Sequence, residues 1–234
     1  VGGTSGKSTV TGMIGWILTE AGRDPTIMNG AVMKNFVNDD APFASSRVGV
    51  GDLMVSEVDE SDGSIALFDP EIAVLNNVSL DHKSLEELRI LFGNFIAKSR
   101  HAIWNHDDEE SRMLVASCRL AKSTSFGFSE DSDFRALQVQ EESLGSSFTL
   151  RTDGADHHVS LRVPGKHNIA NALAAVAACC AIGVPVDRAI AAIETFIGLA
   201  RRFDIVGTEN EISVIDDFGH NPDKIAATLA TLKA

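Results

Sequence analysis

Gly3-Thr4-Ser5-Gly6-Lys7-Ser8-Thr9 stands near the start of the chain, and a helical pattern follows it at once. A glycine-rich turn ending in Gly-Lys-Ser/Thr is a phosphate cradle. Its backbone N–H groups turn inward, its lysine reaches the β- and γ-phosphates, and its hydroxyl sits on Mg2+. Val10, Ile14, Ile17, Leu18 and Ala21 fall on one helical face, so a helix N-terminus brings its positive dipole end to the same place. The reading is a nucleoside triphosphate site. The general pattern has a further glycine five positions before Gly6, where this chain has Val1.

Outward from that loop the chain alternates strand and helix. Residues 52–57, 72–78 and 102–104 are short apolar strands, and Leu85, Leu88, Phe92, Phe95 and Ile96 form a helical stripe. This rhythm predicts a P-loop NTPase-like α/β fold, with a mostly parallel sheet flanked by helices. Residues 134–142, 147–152 and 157–163 then alternate apolar with polar, with Asp153-Gly154 as a turn. They predict a small antiparallel sheet inserted in, or appended to, the core. Two helices follow, over 167–182 and 185–196. Residues 197–202 read as a hinge, 204–206 and 212–215 as strands, and Pro222 as a helix start. This last unit reads as the beginning of a C-terminal, Rossmann-like domain. The expected division is 1–198 and 199–234. With only Val1 ahead of the loop and nothing after the last helix, the chain reads as an excised piece of a longer protein.

A net charge of −13 argues against a nucleic-acid surface, which needs a basic patch. Asp107-Asp108-Glu109-Glu110 and Glu130-Asp131 read as solvated acids. Cys118, Cys179 and Cys180 form neither metal spacing nor a disulfide framework. The longest apolar stretch, 169–182, is shorter than the ~20 residues a bilayer requires, so no membrane partner is expected, and a reducing cytoplasm fits.

Four further groups carry chemistry. Glu57 ends a strand at the sheet edge where ligands gather, and is the expected Mg2+ anchor, with Asp59, Glu60 and Asp62 as rivals. His82 follows the next strand and is a candidate metal ligand. Asn168 and Asn171 share a helix face with carboxamides that suit a purine edge, although Asn168 is also a good N-cap. Arg202 lies in the hinge, and Asp217 and His220 follow the next strand. An arginine there stabilises transferred charge, and an aspartate holds ribose hydroxyls.

Taken in order, Gly3–Thr9, the Glu57-Val58-Asp59-Glu60-Ser61-Asp62 loop, Asn77 through Asp81-His82, Gly165-Lys166-His167-Asn168 with Asn171, Ala200-Arg201-Arg202-Phe203, and Asp216-Asp217-Phe218-Gly219-His220-Asn221-Pro222 resemble the Mur ligase family. The look is nearest to its alanine-adding and tripeptide-recycling branches. That resemblance implies ATP-dependent amide-bond formation through an acyl phosphate. A UDP-N-acetylmuramate-type carboxylate and an amino acid or peptide would be the partners. It also implies a central ATPase domain followed by part of the third domain, without the N-terminal nucleotide-sugar domain. The shortened loop then becomes a family mark. By resemblance, Gly3, Thr4, Ser5, Gly6, Lys7, Ser8 and Thr9 cradle ATP, with Lys7 on the β/γ-phosphates. Ser8, Glu57 and His82 hold metal, and Asn168 and Asn171 face adenine. Arg202, Asp217 and His220 reach in from the third domain. The fragment alone is expected to be inactive as a ligase.

The chain departs from the alanine-adding branch at Ser5 and Asn221, where histidine is usual, and at Phe218, where tyrosine is usual. Lys98, sixteen residues beyond His82, stands where other branches carry a carbamylated lysine, and reads as a solvated helix-end charge. Two alternatives remain at this stage: a non-ligating nucleotide-binding module, and a folylpolyglutamate- or cyanophycin-type ligase.

Overall fold

Apolar runs between residues 72 and 105 send alternate side chains to opposite faces, as a period of two demands. Ala73, Leu75 and Ala102 enter one apolar cluster; Val74 and Ile103 enter the other. Helices therefore cover both faces of a sheet.

The computed structural model describes residues 1–142, 144–210, 212–220 and 222–233, with Asp223 by its backbone alone. The first elements are α1 (Lys7–Glu20), β1 (Thr26–Met28), β2 (Ser46–Arg47), β3 (Met54–Ser56) and β4 (Ile72–Leu75). Next come α2 (Leu85–Lys98), β5 (His101–Asn105), α3 (Glu109–Ser117), β6 (Ser123–Gly127), β7 (Phe134–Glu142), β8 (Gly145–Thr152) and β9 (Ala155–Leu161). The chain continues through α4 (Lys166–Ala181), α5 (Val186–Ile193), β10 (Asp204–Glu209), β11 (Ile212–Asp216) and α6 (Pro222–Thr231). None of the described helices is long and apolar enough to cross a membrane.

The central sheet runs β4-β5-β6-β7-β8-β9, parallel from β4 to β7 and antiparallel from β7 to β9. The predicted antiparallel strands are thus appended to the core. Phe126 pairs with Phe134 and makes them an extension of the parallel sheet. A second sheet, β2-β1-β3, lies beside it. Residues 1 and 2 stitch the two together: Val58 N donates to Val1 O at 2.9 Å, Gly2 N to Val74 O at 2.8 Å, and Asn76 N to Gly2 O at 3.0 Å. The phosphate loop therefore leaves the middle of a continuous surface, between the carboxyl ends of β3 and β4.

On one face α1, α4 and α5 bury Val10, Ile17, Leu173 and Ile193; on the other α2 and α3 bury Leu88, Phe92, Phe95 and Leu114. α4 is buried over most of its length, because its small residues let it lie close against both the sheet and α1. Burial pushes the Cys179 thiol well above its usual pKa, and that of Cys180 to about 11. Both belong to packing.

The acids at 107–110 are solvated in part: Asp107 and Glu109 are exposed, while Asp108 and Glu110 are half-buried. Asp108 caps α3, accepting the Ser111 N–H at 2.8 Å, and also accepts Val78 N at 3.2 Å. Glu109 and Glu110 occupy the first turn, where the helix dipole favours them. Asn168 is not an N-cap either. Gly165 is, at φ 94°, and Asn168 sits in the first turn.

The hinge segment is tied down. Ala200 N donates to Val32 O at 2.9 Å, Lys34 N to Gly198 O at 3.2 Å, and Lys34 Nζ meets Asp204 Oδ1 at 2.8 Å. Beyond it β10 and β11 form an antiparallel hairpin, followed by α6.

Candidate active site

The loops after β3, β4, β5 and β6 all open into one cleft of about 1100 Å³. This is the edge of an open α/β sheet where ligands collect. A smaller cavity of about 250 Å³ lies among Leu18, Val55, Ile72 and Phe95. It is apolar and lies away from the phosphate loop.

Gly6 ends the loop at φ 82°, with no side chain capping α1, so the first-turn N–H groups of that helix face the cleft. The position requires glycine twice over. A Cβ would press on Asn76 Nδ2 and stand 2.6 Å from Asn171 Oδ1, and the left-handed backbone favours no other residue.

An asparagine frame holds the loop. Asn77 Oδ1 accepts from Thr4 Oγ1 at 2.9 Å and from Ser5 N at 2.8 Å, while Asn77 Nδ2 donates to Ser5 O at 3.2 Å. Asn76 Nδ2 donates to Ser5 O at 2.9 Å and to Asn171 Oδ1 at 3.0 Å. The chain continues from Asn171 Nδ2 to Asn168 Oδ1 at 3.2 Å, and from Asn168 Nδ2 to Pro164 O at 2.7 Å. The residues expected to face a purine therefore also brace the loop. Asn168 and Asn171 each spend one amide N–H and keep a second, whereas both N–H groups of Asn76 are used. Asn76 and the framing role of Asn77 escaped the sequence reading. The signal was two consecutive asparagines just past an apolar strand.

Lys7 Nζ donates to Gly3 O at 2.8 Å and to Glu60 Oε2 at 2.7 Å. Of the rivals to Glu57, Glu60 is thus the lysine's partner. Asp62 accepts Ser64 N at 2.8 Å in a short turn outside the cleft lining, and that bond holds its carboxyl below the usual pKa. Asp59 lines the cleft and accepts Ser61 N at 2.7 Å.

Glu57 lies at the cleft floor. Its Oε2 is buried and has no hydrogen-bond partner among the described residues. Gly30 lies against it, where a Cβ would stand 2.5 Å from Glu57 Oε1. A buried carboxylate oxygen with no donor is costly, and a cation at that point would satisfy it. Ser8, 6% exposed, accepts from Arg202 Nη2 at 3.4 Å. Thr9 is buried on the same turn.

His82, at φ 55°, faces Asp81 Oδ1 at 3.3 Å and stacks on His220 with ring centroids 6.2 Å apart. Asp81, His82 and His220 offer ligand atoms within 4.8 Å of one another. Lys224 Nζ sits among them, 3.1 Å from Asp81 Oδ2 and 3.2 Å from His220 Nε2. The acceptor set already holds one positive charge.

Arg202 comes in from the end of the hinge segment. Burial lowers its pKa, while Glu57 and Asp217 oppose that shift. Its guanidinium lies 4.9 Å from the Phe218 ring centre, on which Arg201 also packs at 5.1 Å. Asp217 spends its oxygens on the local turn: Oδ2 accepts Phe203 N at 2.8 Å, and Oδ1 accepts Gly219 N at 2.7 Å. Asn221 lies outside the described residues. Lys98 is absent from the cleft lining and pairs with Asp69 at 3.1 Å.

Residues 4–9 of the loop, Glu57, His82, Asn168, Asn171, Arg202, Asp217 and His220 thus line a single cleft, and Gly3 does not. The arrangement offers clustered cations and helix N–H groups to a polyanion, and a buried carboxylate to a metal.

The Mur ligase middle domain profile matches residues 1–179, and that of the Mur ligase glutamate ligase domain matches 201–234. A UDP-N-acetylmuramate–L-alanine ligase of a Geobacter species is 36% identical over 242 residues, covering all of this chain and 51% of that protein. Its counterpart from Dictyoglomus turgidum is 37% identical over 243 residues, again covering all of this chain and 51% of the relative. Among solved structures, UDP-N-acetylmuramate–alanine ligase from Thermotoga maritima superposes with a TM-score of 0.84 at 28% identity, over 99% of this chain and 52% of that one. A murein peptide ligase from Psychrobacter arcticus gives 0.79 at 29% identity, over 99% and 53%. The chain spans about half the length of the curated relatives it matches.

Proposed function

This chain belongs to the Mur ligase family, and from that premise we propose that it supplies the ATP-binding half of a cytoplasmic ATP-dependent carboxylate–amine ligase acting on a peptidoglycan precursor. The observation that carries the reading is the phosphate loop facing Arg202 and Asp217 across one cleft. A simple nucleotide-binding module does not need an arginine and an aspartate across the cleft. A phosphoryl-transfer site needs cations on both sides of the transferred group.

In this reading residues 1–198 form the central ATPase domain and 199–234 begin the C-terminal ligase domain. The chain alone binds nucleotide but does not ligate. Lys7 and the first turn of α1 hold the β- and γ-phosphates. Asn168 and Asn171 hold the adenine edge through their remaining amide N–H groups. Arg202 approaches the γ-phosphate, and Asp217 and His220 line the ribose side. The carboxylate of a UDP-N-acetylmuramate-type acceptor lies in line with the γ-phosphate. It takes that phosphoryl group, and the amine of an amino acid or peptide then displaces phosphate from the acyl carbon. Positioning and charge neutralisation supply the acceleration.

The residues present fit a divalent cation. Glu57 Oε2 is a buried acceptor without a hydrogen-bond partner among the described residues, and Ser8 lines the same cleft. Ser8 and Glu57 would hold Mg2+, with His82 at a second position, and the ion would neutralise charge developing on the phosphate oxygens. Movement of the C-terminal unit beyond the tethered segment 197–202 would carry Asp217 toward or away from the loop, a gating arrangement.

The test is ADP release by the full-length protein that carries this chain. Release that requires both a muramate-type carboxylate and an amine supports ligation. Nucleotide binding without such release, across a panel of both, contradicts it.

A further inference from the structure

Lys7 is already engaged. Its Nζ bonds Glu60 Oε2 at 2.7 Å and its own loop at Gly3 O. The two side chains are 17% and 3% exposed, so the pair is largely shielded from water. The Glu60 backbone is held by hydrogen bonds that close its own loop. Gly63 N donates to Glu60 O at 3.2 Å, and Ile65 N to Asp59 O at 3.0 Å.

We infer that Glu60 is the resident counter-ion of the phosphate-loop lysine, competing with nucleotide phosphate for Lys7 and thereby setting nucleotide affinity. The inference rests on the nucleotide reading above and adds to it a residue that tunes the same site.

The physical case has three parts. A buried carboxylate is costly unless paired, so Glu60 holds Lys7 in place while the cleft is empty. An ammonium has three N–H donors, and two are spent here. A phosphate oxygen entering hydrogen-bond range of Nζ therefore shares the ammonium with an anion of its own sign, in a partly shielded site where like charges repel strongly. Glu60 thus weakens phosphate binding while keeping Lys7 folded over the loop, and it disfavours capture of singly charged anions by an empty site.

The experiment measures ADP affinity by calorimetry on the full-length protein in excess EDTA, so that no metal-ligand role of any carboxylate contributes. Wild type is compared with Glu60→Gln, which removes the charge, and Glu60→Asp, which keeps it but withdraws it by one methylene. Thermal unfolding without nucleotide identifies the folded variants. The expected result is ADP binding at least about threefold tighter in Glu60→Gln, with Glu60→Asp between it and wild type. A mere loss of packing weakens binding and does not give this order. If Glu60→Gln does not fold, tighter binding by Glu60→Asp is the expected result. Equal or weaker binding by a folded variant, with wild type binding ADP normally, overturns this inference alone. A wild-type protein with no affinity for ADP overturns the nucleotide reading and this inference with it.

Discussion

Asn77 grips Ser5 from both sides. Its Oδ1 accepts the Ser5 N–H at 2.8 Å, and its Nδ2 donates to the Ser5 carbonyl at 3.2 Å. The loop that receives phosphate is thus fixed to the end of a core strand rather than left to fold around its ligand. Such preorganisation removes an ordering cost from binding. Asn77→Ala deletes these two bonds and the one from Thr4 Oγ1. At about 1 kcal/mol for each hydrogen bond, nucleotide affinity is expected to fall about tenfold to a hundredfold. Calorimetry with ADP checks this. Unchanged affinity would show that the frame is not needed.

Glu57→Gln tests the buried acceptor. With its buried Oε2 unpartnered among the described residues, Glu57 is expected to supply the Mg2+-dependent part of nucleotide affinity. Wild type should bind ADP more tightly with Mg2+ than in EDTA, and Glu57→Gln should bind equally in both. A full Mg2+ enhancement in the variant would assign the cation elsewhere.

Much of this was legible because periodicity and edge position are local properties. The 3.6-residue stripe from Leu85 to Ile96 and the apolar run at Ile72 lie where they were expected, and that placed Glu57 and His82 at one edge. The failures have physical causes. Strands β1 and β2 are three and two residues long, too short to show a period. Asp108 looked solvated because capping depends on where the helix begins, and so does the assignment of Asn168. Charge type alone cannot separate Glu57 from Glu60. Glu57 keeps a buried oxygen without a hydrogen-bond partner among the described residues, and Glu60 bonds Lys7, a distinction of side-chain direction within a single loop.

Stability should fall below neutral pH. Burial lowers the pKa of His167, with the Asp217 and Glu141 carboxylates opposing, and lowers that of His101, with Lys122 adding to the effect. Both native values lie below the ordinary 6.5. The unfolded chain therefore binds protons first as pH drops, and stability that is complete above 6.5 is lost progressively below it. Carboxylates held low by partners, such as Glu87 and Glu110, add losses only below their ordinary 4.5. Urea unfolding at pH 7.5 and 5.5 should show the lower stability at 5.5, and His101→Gln should lessen the difference. Equal midpoints at the two values would contradict the assignment.

Ser84 caps α2, taking the Glu87 N–H at 3.3 Å, while the Glu87 carboxylate returns to Ser84 N at 3.0 Å. Ser84→Ala should cost about 1 kcal/mol, or about 2–4 °C in Tm for a chain of this size. Nucleotide affinity should not change, because α2 lies on the sheet face opposite α1. A calorimetric scan and an ADP titration check both halves.

The central claim is that Lys7 and Arg202 help to transfer a γ-phosphate onto a carboxylate. It is tested most directly by isotope transfer. The full-length protein is given ATP, an amine substrate, and a UDP-N-acetylmuramate-type acceptor whose carboxylate oxygens are 18O. If the carboxylate attacks the γ-phosphorus and the amine then displaces phosphate, each inorganic phosphate released carries one 18O and the amide keeps the other. Lys7→Ala should abolish the labelled phosphate. Phosphate free of 18O, or labelled phosphate formed at the wild-type rate by Lys7→Ala, would contradict the account.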